Sequence, residues 1–126
     1  MKTHKTYSVE TTNISNDLKI KVEEQPSGPI LRIKGDPGVG TGRTLDIELT
    51  RLRARRPKLV VLDLSELVMI SSLVMGPLIA AQRNIVRMGG HFRLAAVQPK
   101  VMDCFRRAGL DSVFKIFGDV TSALAV

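Results

Sequence analysis

Alternating apolar and polar residues mark the first strands of this chain. Residues 18–22 and 30–33 both alternate with a period of two, as expected of strands with one buried face. Between them, residues 25–29 read Gln-Pro-Ser-Gly-Pro, a composition typical of a turn. The two segments therefore predict a β-hairpin. The polar residues 1–16 predict either a frayed, flexible end or a first edge strand.

After the hairpin, the apolar residues follow first a helical spacing and then a continuous run. Leucines at helical spacing over residues 45–52 predict a helix that Thr41 or Thr44 caps and that Pro57 ends. The continuous apolar run 59–64 then predicts a central, parallel strand that is buried on both faces.

The second half of the chain alternates helices and strands. Residues 76–88 predict a helix that ends at Gly89-Gly90, because a left-handed C-cap favours glycine. The later predicted elements are a strand over 91–97, a helix over 100–108, a strand over 113–117 and a helix over 120–125 capped by Asp119. The order β-β-α-β-α-β-α-β-α indicates an α/β sheet domain.

Composition narrows the class of protein. The 126 residues, 44% of them hydrophobic, fit one globular domain. One cysteine and two histidines exclude a disulfide framework and leave little for a metal centre, so no cofactor or metal is expected. No apolar run is long enough for a membrane helix or a secretory signal, so we expect a cytoplasmic protein.

The net charge of +7 is concentrated in one segment. Residues 43–58 carry six positive and two negative charges, which is more than half of the excess. This segment is a candidate for polyanion binding, through Arg51, Arg53, Arg55, Arg56 and Lys58. Aromatic residues make up only 4% of the chain, so nucleic acid is a disfavoured partner. A solvated helix face is the favoured interpretation of the charge.

The connection over residues 65–77 is the candidate for function. It follows the central strand, at the edge where open α/β sheets bind ligands and partners. Ser71 and Ser72 stand where a helix begins, so either hydroxyl would cap it, and this interpretation is favoured. The alternative is a hydroxyl that accepts a phosphate beside free helix N–H groups. Pro77 either bends a helix that starts earlier or is its first residue.

The sequence contains little that would support an enzymatic function. No motif places His4 or His91 near a serine nucleophile. Asp63 and Glu66, near the end of the central strand, are interpreted as solvated or capping carboxylates rather than an acid–base pair. Cys104 is interpreted as a core or boundary residue.

Residues 58–126 combine several segments: LVVLDLSEL before a serine pair, the helix end RMGG, the strand HFRLAAV, the helix start QPKV, and the segments AGLD and VFKIF. In this combination the sequence resembles the STAS domain of bacterial anti-sigma factor antagonists. Residues 18–57 agree in element order and in the Gly35-Asp36 turn. The resemblance implies one STAS-like domain over residues 17–126, with a mixed sheet of about four to five strands and about four helices.

In that family the loop reads Asp-Ser-[Ser/Thr]-Gly, and a partner kinase that is itself the anti-sigma factor phosphorylates the first serine. Here the loop reads Ile70-Ser71-Ser72-Leu73, so the acceptor serine is kept but Asp and Gly are replaced. The resemblance implies a non-enzymatic module that binds a GHKL-type kinase and is switched at Ser71. The partner-binding residues that it implies are Ser71, Ser72, Leu73, Met75 and Gly76. The two replacements favour keeping a second hypothesis, a STAS scaffold or docking subunit that is not phosphorylated. The sequence leaves a dimer open.

Overall fold

The computed structural model describes residues 6–10, 19–35 and 41–125. Within these ranges the chain forms six strands and four helices. They are β1 (Thr6–Glu10), β2 (Lys19–Glu23), β3 (Ile30–Gly35), α1 (Thr41–Ala54), β4 (Leu59–Leu67), α2 (Ser72–Arg87), β5 (His91–Ala95), α3 (Pro99–Arg107), β6 (Lys115–Phe117) and α4 (Val120–Leu124). The glycine-rich segment predicted as a loop lies mostly in residues 36–40, outside the described residues.

The strands form one mixed sheet in the order β1-β2-β3-β4-β5-β6. The pairs β1–β2 and β2–β3 are antiparallel, whereas β3, β4, β5 and β6 run parallel. The predicted hairpin, the central parallel strand and the α/β class are therefore confirmed. With β1 at its edge, the sheet has six strands, one more than the expected range.

The two faces of the sheet are covered unequally. Each crossover from β3 to β6 advances by one strand in the same direction, and right-handed crossovers then place their helices on the same side. The larger core accordingly packs α1, α2 and α3 on one face, with Leu49, Val74 and Phe105 among its buried residues. The short α4 covers part of the opposite face through Ala123.

Helix α2 begins at Ser72, four residues before the predicted start at 76. Val74, Leu78, Ala81 and Ile85 lie on one stripe and are all buried. This stripe continues across Pro77, so the alternative in which the helix starts before the proline is the one that the structure shows. At the other end, Gly89 has a φ of 88°, which confirms the predicted left-handed C-cap.

Strand β4 runs to Leu67 and not to Leu64, because it contains a bulge. Arg32 pairs with Asp63 but Lys34 pairs with Glu66, so β4 carries one extra residue between these positions. Because of the extra residue, Leu67 faces the same core as Leu64, although the two residues are three positions apart. The predicted 65–77 connection is therefore shortened to residues 68–71.

The remaining boundaries differ by a few residues. Strand β5 ends at Ala95 rather than at residue 97, and β6 starts at Lys115 because residues 111–113 form a turn. Helices α3 and α4 lie within one residue of their predicted ends. The carboxylate of Asp119 accepts a hydrogen bond from the N–H of Ser122 at 2.7 Å, so the predicted cap is confirmed.

Candidate functional site

Residues 68–71 connect the end of β4 to α2, and we call them the switch loop. Its first residue is tied to the sheet, since the Val68 N–H donates to the Gly35 carbonyl at 3.1 Å. Ile70 is buried in the core, whereas the side chains of Val68 and Met69 are 46% and 49% exposed. The switch loop therefore has a fixed base and displays two apolar side chains to solvent.

Ser71 is the N-cap residue of α2, but its hydroxyl does not cap the helix. Its backbone carbonyl accepts the N–H groups of Val74 at 3.0 Å and Met75 at 2.9 Å. Because Val74 holds the position whose N–H a capping hydroxyl would accept, that donor is already used. The Ser71 Oγ is buried and has no hydrogen-bond partner among the described residues. The favoured capping interpretation is wrong for Ser71.

The other residues implied as partner-binding differ in their exposure. Ser72 and Gly76 are both exposed, and their spacing of four places them on one side of α2. A Cβ at Gly76 would meet no atom within 4 Å, so this part of the helix surface is open. Met75 is half-buried and packs against the core. The side chain of Leu73 lies outside the described residues.

Gln98 is a residue of this edge that the sequence reasoning missed. It precedes α3, and its side-chain Nε2 donates to the Ser65 carbonyl at 2.6 Å. The contact ties the β5–α3 connection to the end of β4. No local pattern signals it, because the two residues are 33 positions apart.

Asp63 and Glu66 form separate ion pairs. The Asp63 Oδ2 accepts from the Arg32 Nη1 at 2.5 Å, and its Oδ1 accepts from the Ser65 N–H at 3.0 Å. The Asp63 side chain is only 10% exposed, so it is not solvated, whereas its bond to the Ser65 N–H agrees with the capping interpretation. Glu66 is exposed, and its Oε2 lies 3.9 Å from the Lys34 Nζ. These contacts hold both carboxylates in structural pairs.

Arg32 joins Asp63 to a second carboxylate. Its Nη2 lies 3.2 Å from the Glu23 Oε1, so the guanidinium bridges β2 and β4. Burial lowers the pKa of Arg32, but its hydrogen bonds to Glu23 and Asp63 outweigh that effect and leave the pKa raised. The Arg32 guanidinium therefore keeps its positive charge between the two strands.

The basic segment at the end of α1 divides into two parts. Arg51 lies 3.6 Å from the Glu48 carboxylate, and Arg55 makes two hydrogen bonds of 2.7 Å to Glu24. Arg56 and Lys58 instead line a cavity of about 630 Å³ at the opposite end of the sheet from the switch loop. The segment does not present one continuous face of unpaired charge.

The sequence matches the STAS domain over residues 19–123. This chain belongs to the STAS domain family. The match begins with β2 and includes the switch loop and helix α2. Within the described residues, no helix is both long enough and apolar enough to cross a membrane.

Solved structures of STAS proteins share the fold at low sequence identity. An anti-sigma factor antagonist from Mycobacterium paratuberculosis is 22% identical, with a TM-score of 0.77 over 85% of this chain and 91% of that one. The Bacillus cell fate determinant SpoIIAA in its phosphorylated form is 13% identical, with a TM-score of 0.62 over 76% and 86% of the two chains. A sulfate transporter family protein from Wolinella succinogenes is 21% identical, with a TM-score of 0.65 over 75% and 80%. The fold thus occurs both in anti-sigma factor antagonists and in a transporter family protein.

Proposed function

We propose that this STAS domain is a non-enzymatic regulatory module that binds a partner kinase or anti-sigma factor through the switch loop and the first turns of α2. Phosphorylation of Ser71 controls the binding, and the module acts in the cytoplasm on transcription. The observation that carries the proposal is the Ser71 hydroxyl, which stands at the start of a 16-residue helix without a cap bond or any other described hydrogen-bond partner. The similar folds of the Mycobacterium antagonist and of phosphorylated SpoIIAA support it.

The unpartnered hydroxyl makes Ser71 available to a kinase at small cost. Rotation of the side chain toward solvent breaks no hydrogen bond in the described structure. A buried polar group without a hydrogen-bond partner lowers the stability of the fold by about 1–3 kcal/mol. Hydration of the hydroxyl after it rotates outward removes this cost, and so offsets part of the free energy needed to expose Ser71. Rotation of the Ser71 side chain, with Ile70 still buried, is the movement that would present the hydroxyl to a kinase.

The helix start also accommodates the modified side chain. Helix α2 has no acidic residue in its first turn, and the first N–H groups of a helix lack intrahelical acceptors. A phosphate on Ser71 would lie beside these donors and beside the positive end of the helix dipole. Phosphorylation would therefore change the surface without unfolding the loop.

The neighbouring surface suits a protein partner. Val68 and Met69 supply exposed apolar contacts, and Gly76 lets a partner approach the helix backbone closely. Phosphate adds a charge of roughly −2 to this apolar surface. A partner would then have to desolvate that charge to keep its contact, so we infer that the complex dissociates.

Affinity capture from the native cell extract, with and without ATP, tests the proposal. We expect Ser71→Ala to retain the partner under both conditions and Ser71→Asp to retain little of it. Mass spectrometry of the recovered protein should find ATP-dependent phosphate on Ser71. Ser112→Ala is the matched control, because it removes an exposed hydroxyl in the turn before β6, at the opposite end of the sheet from the switch loop, and it should behave as the wild type.

A docking subunit without a switch is the second candidate. The burial of the Ser71 Oγ and the burial of Ile70, where the kinase-regulated family motif has Asp, favour it. It predicts a stable partner and a Ser71 that never carries phosphate, with or without ATP. Ser71→Asp would weaken capture here too, because it places a charge on the apolar docking surface, so the phosphorylation state of Ser71 decides between the two candidates. A Ser71 without phosphate in both conditions would contradict phosphorylation control and leave the binding module in place.

A further inference from the structure

A second site lies at the opposite end of the sheet from the switch loop, and we call it the basal cavity. It has a volume of about 630 Å³. Its lining residues are Ser27, Arg56, Pro57, Lys58, Leu59, Met88, Gly89, Gly90, His91 and Arg93. We infer that the basal cavity binds a small organic polyanion, either a phosphate ester or a polycarboxylate.

The charges around the cavity are of one sign. Arg56 and Lys58 approach it from the α1–β4 connection, and His91 and Arg93 approach it from β5, while no carboxylate lines it. Within the described residues, Arg56, Lys58 and His91 have no acidic partner. Basic groups gathered in a concave site without counter-charges favour an anionic ligand.

Arg93 provides a further positive charge. Its Nη1 donates to the carbonyls of Ala123 and Ala125 at 2.8 and 2.7 Å, which fixes the guanidinium at the end of α4. Its Nε is buried and has no hydrogen-bond partner among the described residues. Because the Nε is buried, Arg93 contributes positive charge to the cavity wall and not a bond from this nitrogen.

The backbone of Arg56 is strained. Its φ of 50° lies in the left-handed region just after α1, where glycine is the usual residue. Arg51 and Arg53 already place positive charge in the last turn of this helix, so its dipole does not require a further arginine at position 56. Arg56 is a charged residue in a backbone conformation that favours glycine, and it lies beside a basic cavity. These two features together indicate a role in binding.

The loops around the cavity are fixed by close backbone contacts. A Cβ at Gly28 would lie 2.0 Å from the Leu59 carbonyl oxygen, and a Cβ at Gly90 would lie 2.6 Å from that of Pro57. The His91 N–H also donates to the Lys58 carbonyl at 2.8 Å. The cavity is therefore preformed, and a ligand would meet its cationic groups without ordering these loops first.

The size and the apolar lining select the class of ligand. Pro57, Leu59 and Met88 give the cavity apolar surface, which an inorganic ion would leave uncovered. The volume lies within the range of about 300–1,000 Å³ typical of small-molecule sites. A ligand with both an anionic group and a carbon skeleton fits these two features together.

This site is independent of the proposed switch. The nine residues of β4 separate the basal cavity from the switch loop, a distance of about 30 Å along the strand. A polyanion bound here would leave Ser71 and its surroundings uncovered. Loss of either function therefore leaves the other testable in the same protein.

Calorimetric titration of the full chain at low salt tests the inference, with pyrophosphate and citrate as the two probes and sulfate as a reference ion. We expect saturable binding of one molecule per chain to at least one probe. Arg56→Gly and Lys58→Gln should each weaken it by about tenfold or more. Arg107→Gln, an equal loss of charge at an exposed position of α3, is the matched control and should leave the affinity unchanged.

Arg56→Gly also separates binding from folding. Because glycine adopts a φ of 50° without strain, this variant should melt at or above the temperature of the wild type while it loses the ligand. Binding to pyrophosphate alone would assign recognition of phosphoryl groups, and binding to citrate alone recognition of carboxylates. The inference is wrong if neither probe saturates, or if Arg107→Gln weakens binding as much as Arg56→Gly.

Discussion

Ile70 is the residue that holds the switch loop against the core. Its side chain is 6% exposed, between the exposed Met69 and the cap residue Ser71. We expect Ile70→Ala to lower the free energy of unfolding by about 2–4 kcal/mol, through lost burial and a new cavity. Ile70→Asp should cost more because it buries an unpaired carboxylate. Urea unfolding measures both.

Met69→Ala is the control for Ile70, because its side chain is exposed in the same loop. We expect it to change the free energy of unfolding by less than about 0.5 kcal/mol. Equal losses for Ile70→Ala and Met69→Ala would contradict the anchoring role of Ile70.

Asp119 gives α4 a pH-dependent cap. The hydrogen bond from the Ser122 N–H lowers the pKa of Asp119 below its usual value. Since the folded pKa is the lower one, the carboxylate stabilises the fold fully above about pH 4, and this contribution is lost as the pH falls through the folded pKa. Asp119→Asn keeps a capping oxygen without the charge. We expect the melting temperatures of the two proteins to differ at pH 7 and to converge in acid.

At the scale of elements, α2 carries a glycine that its helical geometry does not require. Gly76 lies in the interior of α2, outside the left-handed region, and an added Cβ would meet open space. We expect Gly76→Ala to raise the free energy of unfolding by about 0.5–1 kcal/mol. The same variant should weaken capture of the partner, because the methyl group stands on the proposed docking surface. Greater stability with unchanged capture would remove Gly76 from that surface.

Helix α4 is held to the sheet by the hydrogen bonds of one side chain in addition to the packing of Ala123. Arg93 donates to two carbonyls at its C-terminal end and lies over the Phe117 ring, 5.4 Å from the ring centroid. We expect Arg93→Met to lower the free energy of unfolding by about 1–3 kcal/mol, because both carbonyls lose a charged donor. Arg107→Met on α3 is the matched control and should be nearly neutral. Amide exchange that rises only in residues 120–125 would locate the effect in α4.

The elements that could be predicted are those whose local pattern agrees with their tertiary role. The hairpin and β4 are examples, since alternation and a continuous apolar run each fix a strand type. The start of α2 was predicted wrongly because Gly76-Pro77 imitates a helix start, whereas the burial of Val74 decides the boundary. No sequence pattern marks the bulge in β4, so the end of this strand and the length of the switch loop could not be predicted.

Over the whole molecule, protection from exchange should follow position in the sheet. Strands β3, β4 and β5 have partners on both sides, whereas β1 and β6 are edges. We expect amides of β4 to exchange at the rate of global unfolding and those of β6 to exchange faster through local opening. Hydrogen exchange with mass spectrometry measures this order. Slower exchange in β6 than in β4 would contradict the observed strand order.

The sites differ in how far the sequence could predict them. Ser71 was found because its loop lies in one short stretch at the end of a strand. The basal cavity was not, because the fold brings Arg56 and Arg93 together from positions 37 residues apart. The basic segment signalled charge at 51–58, but only the fold separates the arginines that pair with Glu24 and Glu48 from those that do not.

The uninterrupted strand order has a consequence for synthesis on the ribosome. Each strand after β1 pairs with the strand translated just before it, so no emerging segment has to wait for a partner that is still inside the exit tunnel. The sheet can therefore grow by addition at one edge as the nascent chain lengthens, and each helix can cover the new strand as soon as it appears. Codon usage or pausing along the message should then alter the folding yield of this domain little, in contrast to a sheet whose last strand inserts at its centre.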